Sequence, residues 1–287
     1  MILDRLNKMK FENNLSIVFT GYNIKDYISL AINSLLHFHP EYKNKIIVFD
    51  DNSNDGTKEW LDKSGIRRIT WSKEYDLSNT SETGYRVSCI YKEIFDQCKT
   101  RYLMINDGDI VFYGKIKHNY ADLIQEYPLL FDIIEIPNGM PSSSKKFKYK
   151  KYLYNGEYFT RSYPCHMIFD MEYLRKNNIY EFDDITEDWK KDCQILDLGA
   201  DFLYKVYLNE LKYKIIYFDD YIYHFGFVSS IERLLLDYPE DLHSYVLERE
   251  DEYIRFFYDK INKCVDLDII MNIYGKSVLK KFEKTRS

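Results

Sequence analysis

The sequence predicts an α/β protein built on a mainly parallel, Rossmann-like sheet, and three observations carry that prediction. Short apolar runs alternate with stretches whose apolar residues recur at helical spacing, the pattern of strand–helix units. Polar or acidic turns follow the first, second and fourth apolar runs, and in a parallel sheet such turns share the carboxyl edge where the ligand crevice lies. One of these turns, Asn106-Asp107-Gly108-Asp109, closes the run from Tyr102 to Ile105 with two carboxylates at i and i+2. At a bent strand end both can turn toward one point, and paired hard oxygen donors suit a divalent cation bridging phosphates. Gly108 is expected to leave room for a ligand to approach the backbone. The competing interpretation of Asn-Asp-Gly-Asp is a plain turn.

The elements follow in order. Leu15 to Thr20 forms a first strand entering the turn Gly21-Tyr22-Asn23, and a helix starts near Asp26 as its N-cap. Ile28, Ala31, Ile32, Leu35 and Leu36 give that helix its apolar face, and Pro40 ends it. A second strand, Lys45 to Phe49, runs into Asp50-Asp51-Asn52-Ser53-Asn54-Asp55-Gly56-Thr57. A helix begins near Thr57, with Asp50 and Asp51 as candidates for its cap and turn. A third strand covers Arg68 to Trp71, and Val87, Ile90, Tyr91, Ile94 and Cys98 mark a helix over Gly84 to Cys98. Beyond the fourth strand, a helix is expected from Lys115 to Gln125 and a strand from Phe131 to Ile136. Pro137 to Ser144 has loop composition, and Lys145 to Lys151 then places five lysines in seven residues. A solvated loop accounts for such a run; the alternative is a grip on an acidic acceptor or an anionic membrane surface. Pro164 to Phe169 is a strand returning to the sheet, with His166 as a packed strand residue, and Lys214 to Phe218 is a late strand.

From Ser230 the character changes. Ile231 to Leu236, then Leu242, Tyr245, Val246, Ile254, Phe257 and Ile261, suggest two helices separated by Pro239, with a further apolar segment from Ile269 to Leu279. The expected division is a catalytic α/β domain over 1–229 and a C-terminal helical appendage over 230–287. Homodimerisation through these helices and docking on a membrane surface are the other roles they suit.

A net charge of −6 argues against nucleic acid as a partner of the whole chain. Five scattered cysteines with no CxxC pair fit free thiols rather than a disulfide framework or a zinc site. The N-terminus lacks a signal-peptide apolar core, and no apolar run approaches the ~20 residues of a membrane span. The expected location is the cytoplasm, with the inner membrane face as a peripheral option. The 28 tyrosines suit sugar and base stacking, but a nucleotide bias of the genome explains them as well.

Three ordered segments resemble family 2 glycosyltransferases of the GT-A fold, the nucleotide-sugar enzymes with an Asp-x-Asp metal motif. Ser16 to Asn23 is similar to the family's opening strand and Tyr-Asn turn. Val48 to Thr57 is similar to its Val-Asp-Asp-Gly-Ser-x-Asp-Gly-Thr segment, with Asn52 in place of the glycine. Asp107-Gly108-Asp109 falls about fifty residues later, at the family's separation.

The resemblance implies a metal-dependent transfer from a nucleotide sugar, with a UDP-sugar as the expected donor and Mn2+ or Mg2+ as the cofactor. It implies that Asp51 accepts hydrogen bonds from the base, that Tyr22 lies against the base, and that Arg86 stands near the diphosphate. Asp107 would face the ribose or a metal-bound water, and Asp109 would coordinate the metal. Tyr221 to Gly226 resembles the family's Tyr-x-His-x-Gly close, which makes His224 a metal ligand; imidazole suits manganese better than magnesium. Asp201, twelve residues before Tyr213, matches the family's aspartate base, with Ala200 where the family carries glutamate and Lys212 where it carries glycine. Asp197 and Asp192 are the alternatives for that role. An inverting transfer to a glycan, lipid-linked or protein acceptor is expected, the base taking the proton of the acceptor hydroxyl.

Two rivals stand beside this expectation. Asp107 to Val111 also fits the Asp-x-Asp-x-Val motif of haloacid-dehalogenase-like phosphatases, although that family carries it on the first strand. The other rival is a GT-A-fold glycan-binding or scaffold protein that has lost turnover, for which Ala200 is the best support.

Overall fold

A computed structural model describes residues 2–75, 83–132, 152–154, 157–159, 163–179, 206, 209–216, 218 and 221–224. Asp201 with its alternatives Asp197 and Asp192, the lysine run, and the expected C-terminal helices over 230–287 lie outside the described residues.

Helix α1 (Ile2–Asn13) precedes β1 (Leu15–Gly21), α2 (Lys25–Phe38), a 3-10 turn (Pro40–Lys45) and β2 (Ile46–Asp50). Then come α3 (Thr57–Ser64), β3 (Arg67–Ile69), α4 (Thr83–Gln97), β4 (Tyr102–Asp107), β5 (Ile110–Phe112), α5 (Tyr120–Glu126) and β6 (Leu129–Asp132). A small hairpin, β7 (Tyr152–Tyr154) and β8 (Glu157–Phe159), leads to β9 (Tyr163–Asp170) and α6 (Met171–Lys176). Two short strands, β10 (Lys214–Ile215) and β11 (Ile222–His224), complete the described elements.

The main sheet has seven strands in the order β10-β6-β9-β4-β1-β2-β3. β1 pairs in parallel with β2 and β4, and β2 with β3. Among the described strands of this sheet, β9 alone runs against its neighbours, β4 and β6. The sheet is thus mainly parallel, as the strand–helix alternation predicts, with one returning strand.

The period of two along each strand sorts its side chains onto two faces. Ile17, Phe19, Val48, Tyr102 and Met104 join the core under α1, α2 and α5. Val18, Ile47, Phe49, Leu103 and Ile105 join the core under α4 and α6. Helices cover both faces, which is why these strands are apolar throughout rather than alternating. The helical face predicted for α2 is the one buried: Ile28, Ala31, Ile32 and Leu35 are nearly inaccessible. The register then aligns the strand ends, because Thr20 pairs with Asp107 and Gly21 with Asp50. The turns after β1, β2 and β4 share one edge.

Several expected boundaries move, for identifiable reasons. Helix α2 begins at Lys25, with Ile24 at the capping position and no cap from Asp26, which sits inside the first turn. The Lys25 N–H is satisfied from another loop, by Asp55 Oδ2 at 2.8 Å. Neither Asp50 nor Asp51 caps α3. Gly56 occupies that position in the left-handed region, and Asp55 accepts from the Thr57 N–H. The helix expected from Lys115 starts only at Tyr120, because the Ile116 N–H donates to His39 Nε2 at 2.9 Å and draws that segment to the end of α2. Strand β3 stops at Ile69, so Trp71 lies beyond the ladder.

Candidate active site

The two loops that open the site are wired to each other before any ligand is considered. The Asn23 N–H donates to Ser53 Oγ at 2.9 Å, and Asn23 Oδ1 accepts from the Asn54 N–H at 2.8 Å. The Asp51 N–H donates to the Gly21 carbonyl at 3.1 Å. Asn23 and Asn52 both hold positive φ, 54° and 58°. Asparagine tolerates this region far better than other side chains, so Asn52 in place of the family's glycine preserves the backbone the loop needs.

Asp50 and Asp51 end β2 and part company. Asp50 is fully buried, accepts from the Ser53 N–H, and pairs with Arg68 Nε at 2.7 Å. Asp51 is also buried and has three donors on it. Arg86 Nε reaches Oδ2 at 2.6 Å, Arg86 Nη2 reaches Oδ1 at 2.8 Å, and Trp71 Nε1 reaches Oδ1 at 2.7 Å. This pairing holds the Arg86 guanidinium above its ordinary pKa, the hydrogen bonds to Asp51 outweighing partial burial. The guanidinium also lies over the half-exposed Tyr22 ring, 5.8 Å from its centroid. Tyr22, Asp51 and Arg86, which the resemblance places at the nucleotide, form one cluster; Trp71 joins it without having been foreseen.

Two strand positions away is the second cluster. Asp107 is the last residue of β4, and the turn through Gly108 brings Asp109 back beside it before β5. β5 is fixed from below by α2, whose Ser34 Oγ accepts the Phe112 N–H at 3.0 Å. β11 pairs antiparallel with β5 and sets His224 opposite Ile110. Imidazole Nε2 consequently stands 3.0 Å from Asp109 Oδ1 and 3.5 Å from Asp107 Oδ2. One ligand atom from each of Asp107, Asp109 and His224 lies within 4.8 Å of the others. Burial pushes the Asp107 carboxyl up to about 6, with His224 pulling it down and Asp109 raising it further. Two carboxylate oxygens and one imidazole nitrogen form a donor set that fits a divalent cation.

Gly108 does not serve as predicted. A Cβ there would meet Ile28 Cγ1 at 2.6 Å and the Thr20 carbonyl at 2.6 Å. Its missing side chain lets the turn pack on β1 and α2 rather than admit a ligand.

Behind the carboxylates runs a buried polar chain. Tyr221 and Tyr120 share a hydroxyl contact at 2.6 Å, Tyr120 contacts His166 Nε2 at 3.1 Å, and His166 Nδ1 contacts Asn106 Oδ1. Burial drives the His166 pKa down to about 3, so the ring is neutral. With Nδ1–H donating to Asn106, Nε2 accepts from Tyr120, which in turn accepts from Tyr221. His166 is thus the packed strand residue expected, and it connects the residue before Asp107 to the residue before β11.

Among the described cysteines, Cys89, Cys98 and Cys165 are buried and form no disulfide. No described helix is long and apolar enough to cross a membrane.

Residues 16–172, more than half of the chain, match the family model of glycosyl transferase family 2. The chain belongs to that family, and it is a nucleotide-sugar glycosyltransferase of the GT-A fold. The Asp-x-Asp turn lies on the fourth strand, away from the first-strand position that a haloacid-dehalogenase-like phosphatase requires. No curated protein matches the chain. Among solved structures it is similar to S. aureus TarS residues 1–349, with 19% identity, 95% of this chain and 83% of that chain covered, and a TM-score of 0.44. It is similar to the galactosyltransferase LgtC in complex with donor and acceptor sugar analogs, with 16% identity, 67% and 70% covered, and a TM-score of 0.42. It is also similar to the mannosyltransferase PcManGT from Pyrobaculum calidifontis in complex with GDP-Man and Mn2+, with 11% identity, 95% and 73% covered, and a TM-score of 0.45.

Proposed function

We propose that this protein transfers a sugar from a UDP-sugar to an acceptor hydroxyl, with a divalent cation held by Asp107, Asp109 and His224. The observation that carries the proposal is the convergence of those three side chains, His224 from 115 residues beyond Asp109, at the edge that also presents Asp51. β1 alone separates the strand ends bearing Asp51 and Asp107, so the two clusters lie roughly 10 Å apart at two strand spacings. That interval suits a nucleoside whose base meets Asp51 and whose diphosphate reaches the carboxylate pair. Tyr22, exposed beside Asp51, offers its ring to the base. A bound cation offsets negative charge on the nucleoside diphosphate as it leaves.

The chain's own residues do the rest. Asp107 and Asp109 hold ionised oxygens toward the diphosphate, and the β5–β11 pairing keeps His224 from swinging away. Asp201 is the proposed base that removes the acceptor proton in an inverting displacement, with Asp197 and Asp192 behind it. Residues 230–287 are proposed as a helical appendage to the catalytic domain over 1–229. The cytoplasm, with the inner membrane face as a peripheral option, is the proposed location. A glycan, a lipid-linked sugar or a protein serves as acceptor.

The test is nucleotide release from a panel of UDP-sugars with Mn2+, with Mg2+ and with chelator. Metal-dependent UDP release from at least one donor is the expected result. A chain that binds nucleotide sugars and releases none in any metal is the degenerate binding protein instead.

A further inference from the structure

An ionised carboxylate offers roughly four acceptor positions, two on each oxygen. On Asp51 three are filled, two by the Arg86 fork and one by Trp71, both from within the chain. The position left is on Oδ2. Trp71 is held firmly in its place. Its ring meets Phe49 edge-on at 5.3 Å and Tyr75 at 5.2 Å. The flanking Ser72 N–H and Oγ and the Tyr75 hydroxyl all donate to the buried Glu93 carboxylate. Arg86 is held by its two bonds to a carboxylate that is only 4% exposed.

We infer that Trp71 and Arg86 set the base specificity of the donor site, leaving Asp51 one acceptor position that fits the single imide N–H of uracil and disfavours guanine. This rests on the reading of Asp51 as the group that receives the base. Guanine presents N1–H and an exocyclic N–H side by side, the same two-pronged donor pattern that a guanidinium presents to a carboxylate. To bind in that way it must evict Arg86 from both oxygens and strand the guanidinium over Tyr22. Uracil presents one N–H between two carbonyls and needs only the outer position on Oδ2. Cytosine has a lone pair at that ring nitrogen and would set it against the carboxylate. Arg86 on this account acts on the base, and the diphosphate falls to other groups.

Calorimetry with UDP and GDP on the full chain tests it, using wild type, Arg86→Lys, Arg86→Met, Trp71→Phe and Asp51→Asn. Arg86→Lys keeps the charge beside Asp51, so the loop retains its counterion, but lysine offers no planar fork. Wild type is expected to prefer UDP by at least about tenfold, roughly what leaving a buried polar group unpaired costs. Arg86→Lys and Arg86→Met should close that gap to about threefold or less by gaining GDP affinity, and Trp71→Phe should narrow it by a smaller factor. An unchanged UDP-to-GDP ratio in the Arg86 variants overturns the inference, as does an equal loss of both nucleotides, which would place Arg86 on the phosphates. Asp51→Asn separates the two levels. If it weakens UDP while the Arg86 variants keep the ratio, the inference alone fails. If it changes neither nucleotide, the reading of Asp51 fails and takes the inference with it.

Discussion

The two acidic corners of the site are built from the same kind of residue and wired in opposite ways. At the end of β2, Asp50 and Asp51 are paired with Arg68 and Arg86, cations that keep their proton at any pH a protein survives. At the end of β4, Asp107 and Asp109 have His224 as a charge-bearing neighbour among the described residues, a group whose ordinary pKa lies near neutrality. The first corner is neutralised by covalently fixed charge and stays organised without a ligand. The second holds two carboxylates close together, one pushed up to about 6. It gains most from a cation supplied from outside. The donor set of Asp107, Asp109 and His224 marks this corner as the one that suits a metal.

The largest effect expected from breaking this contrast is catalytic. Asp109→Asn keeps the size of the side chain and removes one charge from the metal corner. Metal-dependent donor turnover should fall roughly 10³-fold, several kcal/mol of lost charge stabilisation, while UDP binding through the other corner drops far less. Steady-state kinetics in saturating Mn2+ beside calorimetry in chelator measure the two quantities. Near wild-type turnover in manganese would remove Asp109 from the metal.

A smaller effect follows from acidity. A cation needs Asp107 ionised, and a carboxyl titrating at about 6 is mostly protonated at about pH 5 and ionised at about pH 7.5. The rise in melting temperature produced by Mn2+ should be clear at the higher pH and largely lost at the lower one. Linkage in the metal-free protein has the matching sign. A raised carboxyl pKa contributes stability that is full below the unfolded value and lost as pH rises through about 6, so metal helps most where the free protein has lost it. His166, held near 3 by burial, works the other way, since its stability contribution falls as pH drops below its unfolded value near 6.5. That contribution is common to scans with and without Mn2+ and cancels in the difference. A metal increment equal at both pH values would mean that the cation does not use Asp107.

Most of the sheet was legible because its signals are local. Apolar runs, helical spacing and a turn after each strand require no knowledge of distant partners, and Asp107 and Asp109 are adjacent enough to be recognised together. What escaped was set by partners remote in sequence. Trp71 reaches Asp51 from beyond the end of β3, which stops two residues earlier than expected and lies beside β2. Asp55 caps a helix that begins thirty residues earlier. The role of Gly108 depends on Ile28 and the Thr20 carbonyl packed against it, and nothing in Asp-Gly-Asp announces them. The resemblance to a family supplied His224, whose own neighbourhood in the sequence, rich in tyrosine, would have left it an ordinary strand residue.

The smallest effect expected is also the one that tests whether a departure from the family pattern matters. Asn52 stands where the family carries glycine, at φ 58°, with its Oδ1 accepting from Thr70 Oγ1 at 3.2 Å. If the left-handed backbone is what that position requires, Asn52→Gly should change stability by no more than about 0.5 kcal/mol. Relief of the left-handed backbone nearly offsets the loss of one exposed hydrogen bond and the extra freedom glycine brings to the unfolded chain. Asn52→Ala should cost about 1 kcal/mol or somewhat more, because a plain Cβ meets the following carbonyl in that region and alanine has no polar tip to compensate. Urea midpoints at constant slope separate the two. The loop carries Asp51 and not the metal ligands, so neither substitution should alter the Mn2+ increment in melting temperature. If alanine costs no more than glycine, the hydrogen bond to Thr70 rather than the backbone explains the asparagine. If the Mn2+ increment moves with either variant, the two corners are coupled through β1, and the independence argued from their charge pairing fails.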